Sequence, residues 1–281
     1  MIRCGIVIFP TDKTLQPIPL AQAVEERGLD ALYLPEHTHI PVDSKSPFLP
    51  GGEVPDHYRR THDPFVALSA AAAVTERITL ATGICLVPQR DPITLAKEVA
   101  SLDLISNGRV LLGIGAGWNE PELANHGVQF DQRWAVTREY VDAMRTIWRE
   151  DEAEYQGEFV NFGKMWSYPK PVQADGPPIW IGANSKYIPA RLAEYANGWM
   201  PIYGRAGGAT VAMVKEAFDR KGRDFNELSL AMFMAPDDEA ELASLRGEGF
   251  KEFIFGVASA APDDVLKRLD QIAQTAEKLN A

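Results

Sequence analysis

One carboxylate and two imidazoles fall within four positions in the stretch YLPEHTHIP, Tyr33 to Pro41, directly after a short apolar run. The chain holds five histidines, and two of them, His37 and His39, sit here beside Glu36. Three kinds of chemistry use such residues. A His37-x-His39 pair could open a metal centre, which then needs His, Asp or Lys ligands from later elements. No histidine follows His126, so the later part of the chain supplies no imidazole, and no metal is expected. An imidazole could instead move a proton, since this side chain ordinarily titrates at about 6.5, near neutrality. The third reading is a turn whose histidines bond only backbone.

Other candidates follow in order. LATGICLV contains Thr82, Gly83 and Ile84, and GIGAGWNEPE (113–122) has glycines at 113, 115 and 117. That spacing is only loosely a dinucleotide fingerprint. Residues without side chains let a planar ring or phosphate approach the backbone, and tight packing at a rim explains them equally. Trp118, inside this loop, is placed to meet a ligand; Trp134, Trp148, Trp166, Trp180 and Trp199 read as packing. In GANS, the amides of Gly182, Ala183, Asn184 and Ser185 precede a helix and offer N–H groups to a phosphate. Ser185 as a simple N-cap is the alternative.

The elements that must position these residues alternate from end to end. Apolar runs at 3–9, 30–34, 77–87, 109–115, 178–183, 198–203, 228–234 and 251–257 read as strands buried on both faces. Helical patterns lie between them. Asp63-Pro64 and Asp91-Pro92 each set a capping residue before a proline at the first helical position. Tyr140, Val141, Met144, Ile147 and Trp148 share one helical face. Eight strand–helix units predict a single (β/α)8 TIM-type barrel over residues 1–281, with a doubly wound open sheet as the alternative. Two connections exceed plain loops: 35–62 after strand two, and 154–178, where EYQGEFVNF reads as a hairpin about Gly157. In a barrel the active site lies at the C-terminal ends of the strands, where all the candidates above fall.

Composition narrows the function. With 46% hydrophobic and 24% charged residues a large core is available, and a net charge of −11 argues against nucleic acid or an anionic membrane as partner. The start MIRCGIVIFPTD lacks a basic leader, and no apolar run approaches the ~20 residues of a membrane helix. Cys4 and Cys85 lack C-x-x-C spacing, so reduced thiols and a cytoplasmic location are expected.

The runs LPEHTHIP, LATGICLVPQRDP, AKEVASLDLISNGRVLLGIGAGWNEPE and PPIWIGANS with ARLAEYANGWMP together resemble the bacterial luciferase-like family, specifically its coenzyme F420 (deazaflavin)-dependent oxidoreductase branch. The resemblance covers about residues 2–204. It implies a TIM-type barrel with an isoalloxazine-like ring over the strand ends, a homodimer, and a small-molecule substrate. It also implies a non-prolyl cis peptide at Gly83–Ile84. By position, Glu36 and His37 fall where the branch's dehydrogenases place an acid and a histidine beside the ring. Gly115, Ala116 and Gly117 line the cofactor, and Gly182, Ala183 and Asn184 reach its phosphate-bearing tail. The family's sugar-phosphate dehydrogenases carry a glutamate where this chain has Trp118, so their acid is missing. The resulting expectation is hydride transfer with coenzyme F420, His37 carrying the proton. An FMN-dependent monooxygenase and a non-catalytic cofactor-binding protein are the alternatives.

Overall fold

Side chains that alternate between two apolar environments build the centre of the molecule. In the computed structural model, which describes residues 1–44, 46–48, 53–205 and 207–281, β1 (Arg3–Val7), β2 (Ala31–Leu34) and β3 (Thr79–Thr82) are parallel neighbours. Tyr33 and Ala81 face an inner cluster, while Ile6, Leu32 and Leu80 face an outer one. The same period of two continues through β5 (Val110–Gly115), which follows the short β4 (Cys85–Leu86). Beyond an antiparallel hairpin of β6 (Ala153–Gln156) and β7 (Asn161–Met165) come β8 (Ile179–Ile181), β9 (Gly198–Trp199), β10 (Ser229–Phe233) and β11 (Glu252–Gly256).

The pairing order β1–β2–β3–β5–β8–β9–β10–β11 returns to β1, every pair parallel. Eight strands therefore close a barrel, as the alternating pattern predicts, and the open-sheet alternative falls. Its interior is filled by Tyr33, Leu111, Trp180, Met200 and Ile254 rather than left as a pore. The outer cluster lies between the strands and the surrounding helices.

Those helices are α1 (Pro17–Glu26), α2 (Pro64–Ala72), α3 (Pro92–Ile105), α4 (Glu120–Asn125), α5 (Arg133–Arg149), α6 (Ile188–Tyr195), α7 (Val211–Lys221), α8 (Glu239–Glu248) and α9 (Pro262–Asn280). Asp63 accepts the amides of Phe65 and Val66 at 2.9 and 3.0 Å, and Asp91 that of Thr94 at 2.8 Å, so both expected caps form. The first helix starts at Pro17, because Pro17 and Pro19 fall in the first turn, where no amide is needed. On α5, Val141, Met144, Ile147 and Trp148 are buried. Its Glu139 accepts the amides of Glu158, Phe159 and Val160 and so pins the hairpin turn beside Gly157.

The third strand departs from expectation. It runs as β3, breaks at a cis Gly83–Ile84 peptide where the resemblance implies one, and resumes as β4. Its last bond to β2 is Gly83 N–H on the Leu34 carbonyl at 2.8 Å. Beyond that point β4 pairs, among the described residues, only with β5.

Trp180 supplies the largest ring of the barrel interior and is 7% exposed. Trp180→Ala should lower unfolding free energy by about 3–5 kcal/mol through lost burial and a residual cavity. Denaturant unfolding checks it; a loss below about 1 kcal/mol would mean the interior collapses around the gap.

Candidate active site

Where β2 ends, the chain carries a carboxylate into the protein. Glu36 is 3% exposed, and both its oxygens are engaged. Oε2 accepts the amide of Leu86, in β4, at 2.6 Å, and Oε1 accepts Arg90 Nε at 2.6 Å. Arg90 also bonds Asp63, the α2 cap, and Glu98 of α3. Burial is the largest single influence on the Arg90 pKa and lowers it, but the charge and hydrogen bond of Glu36 together with the neighbouring Cys85 and Asp63 outweigh it, and the net shift is upward. Glu36, expected as an acid beside the ring, thus has both oxygens engaged here. It ties the end of β2 to the resumed third strand.

The next residue turns the other way. His37, its side chain 6% exposed, places Nδ1 2.8 Å from Glu122 Oε2 on α4, whose side chain is 1% exposed. A carboxylate only accepts, so Nδ1 carries the hydrogen and Nε2 is the nitrogen left for other chemistry. Sequence reasoning missed Glu122. Asn119 caps α4, and Asn119-x-x-Glu122 has the spacing of a capping box, in which the glutamate folds back on its own helix. Here it reaches across to another segment instead.

His39 leads elsewhere. Its Nδ1 lies 2.9 Å from Thr38 Oγ1, which lies 2.8 Å from His126 Nε2, and its Nε2 is 2.8 Å from Asn125 Nδ2. Ser44 donates to Asn119 Oδ1 at 3.0 Å, and the Glu120 amide donates to Ser46 at 2.9 Å. The connection after β2 is thereby laced along α4. His37 and His39 do not converge on a shared centre.

Beneath them, Ile84 forms the floor. A Cβ on Gly115 would sit 2.3 Å from Ile84 Cδ1, and one on Gly182 2.4 Å from Ile84 Cγ2. The two glycines make room for this side chain between the ends of β5 and β8. Gly117 has φ +83°, so the turn itself requires glycine there. Ala116 is buried, and Thr82 donates to the Gly113 carbonyl at 2.7 Å, which leaves its hydroxyl committed. Trp118 is half-buried and meets the His37 ring edge-on at 5.9 Å.

Gly182, Ala183 and Asn184 are half-exposed beyond β8, and Ser185 is exposed. Ser185 is not a cap: α6 is preceded by Tyr187, with no side-chain capping bond. Asn184 Nδ2 donates to the Arg205 carbonyl at 3.0 Å, while its buried Oδ1 has no partner among the described residues. A cleft of about 200 Å³ opens here between Asn184, Tyr203, Arg205 and Thr210. A larger one of about 650 Å³ lies at the opposite end of the barrel, around Arg145, Arg149, Asp175 and Asn197, and no predicted site residue lines it. Of the stretch expected to cover the pocket, 45 and 49–52 lie outside the described residues.

Three comparisons bear on this geometry. A family model described as luciferase-like monooxygenase matches residues 16–279. An uncharacterized protein of Mycobacterium tuberculosis is 39% identical over 275 residues, covering 96% of each chain. Among solved structures, a monooxygenase from Streptomyces bottropensis superposes with a TM-score of 0.80 at 20% identity over 100% of both chains. A coenzyme F420-dependent tetrahydromethanopterin reductase from Methanopyrus kandleri gives 0.75 at 18% over 98% of both. At these identities the structural likeness speaks for the fold.

Arg90→Met should cost about 3–5 kcal/mol of stability, because it strands the buried Glu36 carboxylate. Chemical denaturation measures this. A loss under about 1 kcal/mol would show that Glu36 does not depend on the pair.

Proposed function

Because the chain belongs to the luciferase-like monooxygenase family, we propose that it is an oxidoreductase that uses the deazaflavin coenzyme F420 on a small organic substrate, with His37 moving the proton. When bound, that cofactor supplies the hydride; the protein supplies position and the proton. The observation that supports this reading best is the pair His37–Glu122. With Nδ1–H held by Glu122, Nε2 takes a proton from the substrate or returns one to it. Glu122 also fixes the ring plane, so the acceptor atom does not wander. Glu36 is a positioning residue in this reading, since its oxygens are occupied by Leu86 and Arg90.

The residues present fit a flavin-type group. The mouth is walled by half-buried rings, its floor is the apolar Ile84, and Asn184 Oδ1, with no partner among the described residues, is an acceptor suited to a hydroxyl on the cofactor's chain. Gly182 to Ser185 and the rim beside Arg205 would hold the tail. The same features suit FMN, and the family's description as monooxygenases favours it as the second reading. FMN ends in a phosphate dianion that sites generally meet with a cation plus amides. Arg191 stacks 4.4 Å over Trp134, and its buried Nη1 has no partner among the described residues, so it could serve the phosphate of either cofactor. The choice of the deazaflavin rests on the branch-specific runs LPEHTHIP, VPQRDP and GAGWNEPE.

His37→Asn is the test, since an amide keeps an N–H for Glu122 while Nε2 is lost. Turnover with reduced coenzyme F420 should fall about 10²–10⁴-fold, and cofactor affinity, followed by fluorescence titration, should stay within about threefold. Undiminished turnover would remove His37 from the chemistry. Titrating the unloaded protein with FMN in parallel separates the two cofactors: tight FMN binding with no response to the deazaflavin would reverse the assignment.

A further inference from the structure

Five rings from three separate segments gather beside His37. Phe9 follows β1, Phe48, His57 and Tyr58 lie in the connection after β2, and Trp118 lies in the glycine loop after β5. Tyr58 and Trp118 touch the imidazole at centroid distances of 5.1 and 5.9 Å. Phe48 meets the same two rings at 5.3 and 5.7 Å, with interplanar angles of 84° and 61°. Phe9 tilts against Tyr58 at 4.6 Å. These contacts present edges as well as faces to the space they border.

This set is not an extension of the core. All five rings are half-buried, and none belongs to either apolar cluster of the barrel. Half-open aromatic rings at a barrel mouth mark a surface that meets a ligand more than one that only packs. Three of them, His57, Tyr58 and Trp118, also carry a donor with no acceptor among the described residues. Trp148 and Trp199 give their indole N–H to the carbonyls of Ala96 and Ala183, whereas Trp118 Nε1 and the Tyr58 hydroxyl have no acceptor among the described residues.

Part of the charge around the box is paired. Glu36 is held by Arg90, and Asp56 by Arg59, Arg60 and Lys13. Glu122 bonds His37 through Oε2, while its buried Oε1 has no partner among the described residues. Arg205 is exposed on the rim, its backbone holds Asn184, and its charge reaches Tyr58.

Building on the redox reading above, we propose that this box selects a flat, conjugated carbonyl compound. Its face lies against Trp118 and its oxygen accepts the Tyr58 hydroxyl. Flatness follows from the walls, and the acceptor oxygen from the donors that have no acceptor among the described residues.

Ligand-observed NMR on the full chain, with and without coenzyme F420, tests this with three probes: acetophenone, its oxygen-free isostere α-methylstyrene, and the puckered cyclohexyl methyl ketone. Acetophenone should bind about tenfold tighter than the puckered ketone, the scale of one aromatic contact. Tyr58→Phe, which keeps the wall, should weaken acetophenone about fivefold and leave α-methylstyrene unchanged. Equal binding of flat and puckered ketones, or no effect of Tyr58→Phe on acetophenone, would overturn the proposal. Probe selectivity without turnover on either cofactor would support the box while removing the redox reading. Turnover with coenzyme F420 on saturated substrates, without probe selectivity, would do the reverse.

Discussion

A buried carboxylate must be matched, and the mouth of this barrel is organised by two that are matched differently. Removing a carboxylate from water costs several kcal/mol unless a cation or a set of donors replaces the solvent. Glu36 meets a permanent cation, Arg90, and a backbone amide of the resumed third strand. Glu122 meets an imidazole. The first arrangement belongs to the frame. The second leaves one ring nitrogen, Nε2, outside the pair. Adjacent residues, Glu36 and His37, thus turn to different partners.

The frame follows from the first match. With Leu86 held by Glu36, the third strand re-enters the barrel beside β5, and Ile84 is set between Gly115 and Gly182. These glycines read in the sequence as places where a cofactor approaches the backbone. The structure gives them a nearer occupant, the side chain that makes the floor. Gly117 is required by its own turn. A ring lying over the mouth would then meet Ile84 and the aromatic wall before it met bare backbone.

Much of this was legible in the residues alone. Continuous apolar strands, Asp-Pro helix starts and short connections point to a barrel, because period, capping and turn chemistry are local. The hairpin at Gly157 was legible for the same reason. What was not legible depends on contacts distant in sequence. His37 and Glu122 are 85 positions apart, and the capping-box spacing at Asn119 gives the glutamate a sufficient local explanation. The different partners of Glu36 and His37 were hidden too, since adjacency in a motif does not reveal that successive side chains leave in different directions. Ser185 shows the converse: a plausible cap in sequence, it caps nothing, because α6 starts three residues later.

The proton-transfer reading rests on one tautomer, and histidine-selective ¹⁵N NMR observes it directly. In the resting protein near neutral pH, His37, identified by its loss in His37→Asn, should show a protonated Nδ1 and a bare Nε2. Glu122→Gln should relax that preference, since an amide can either donate or accept. An Nε2–H tautomer in the unmodified protein, unchanged in the Glu122 variant, would contradict the assignment of Nε2 as the proton-carrying atom.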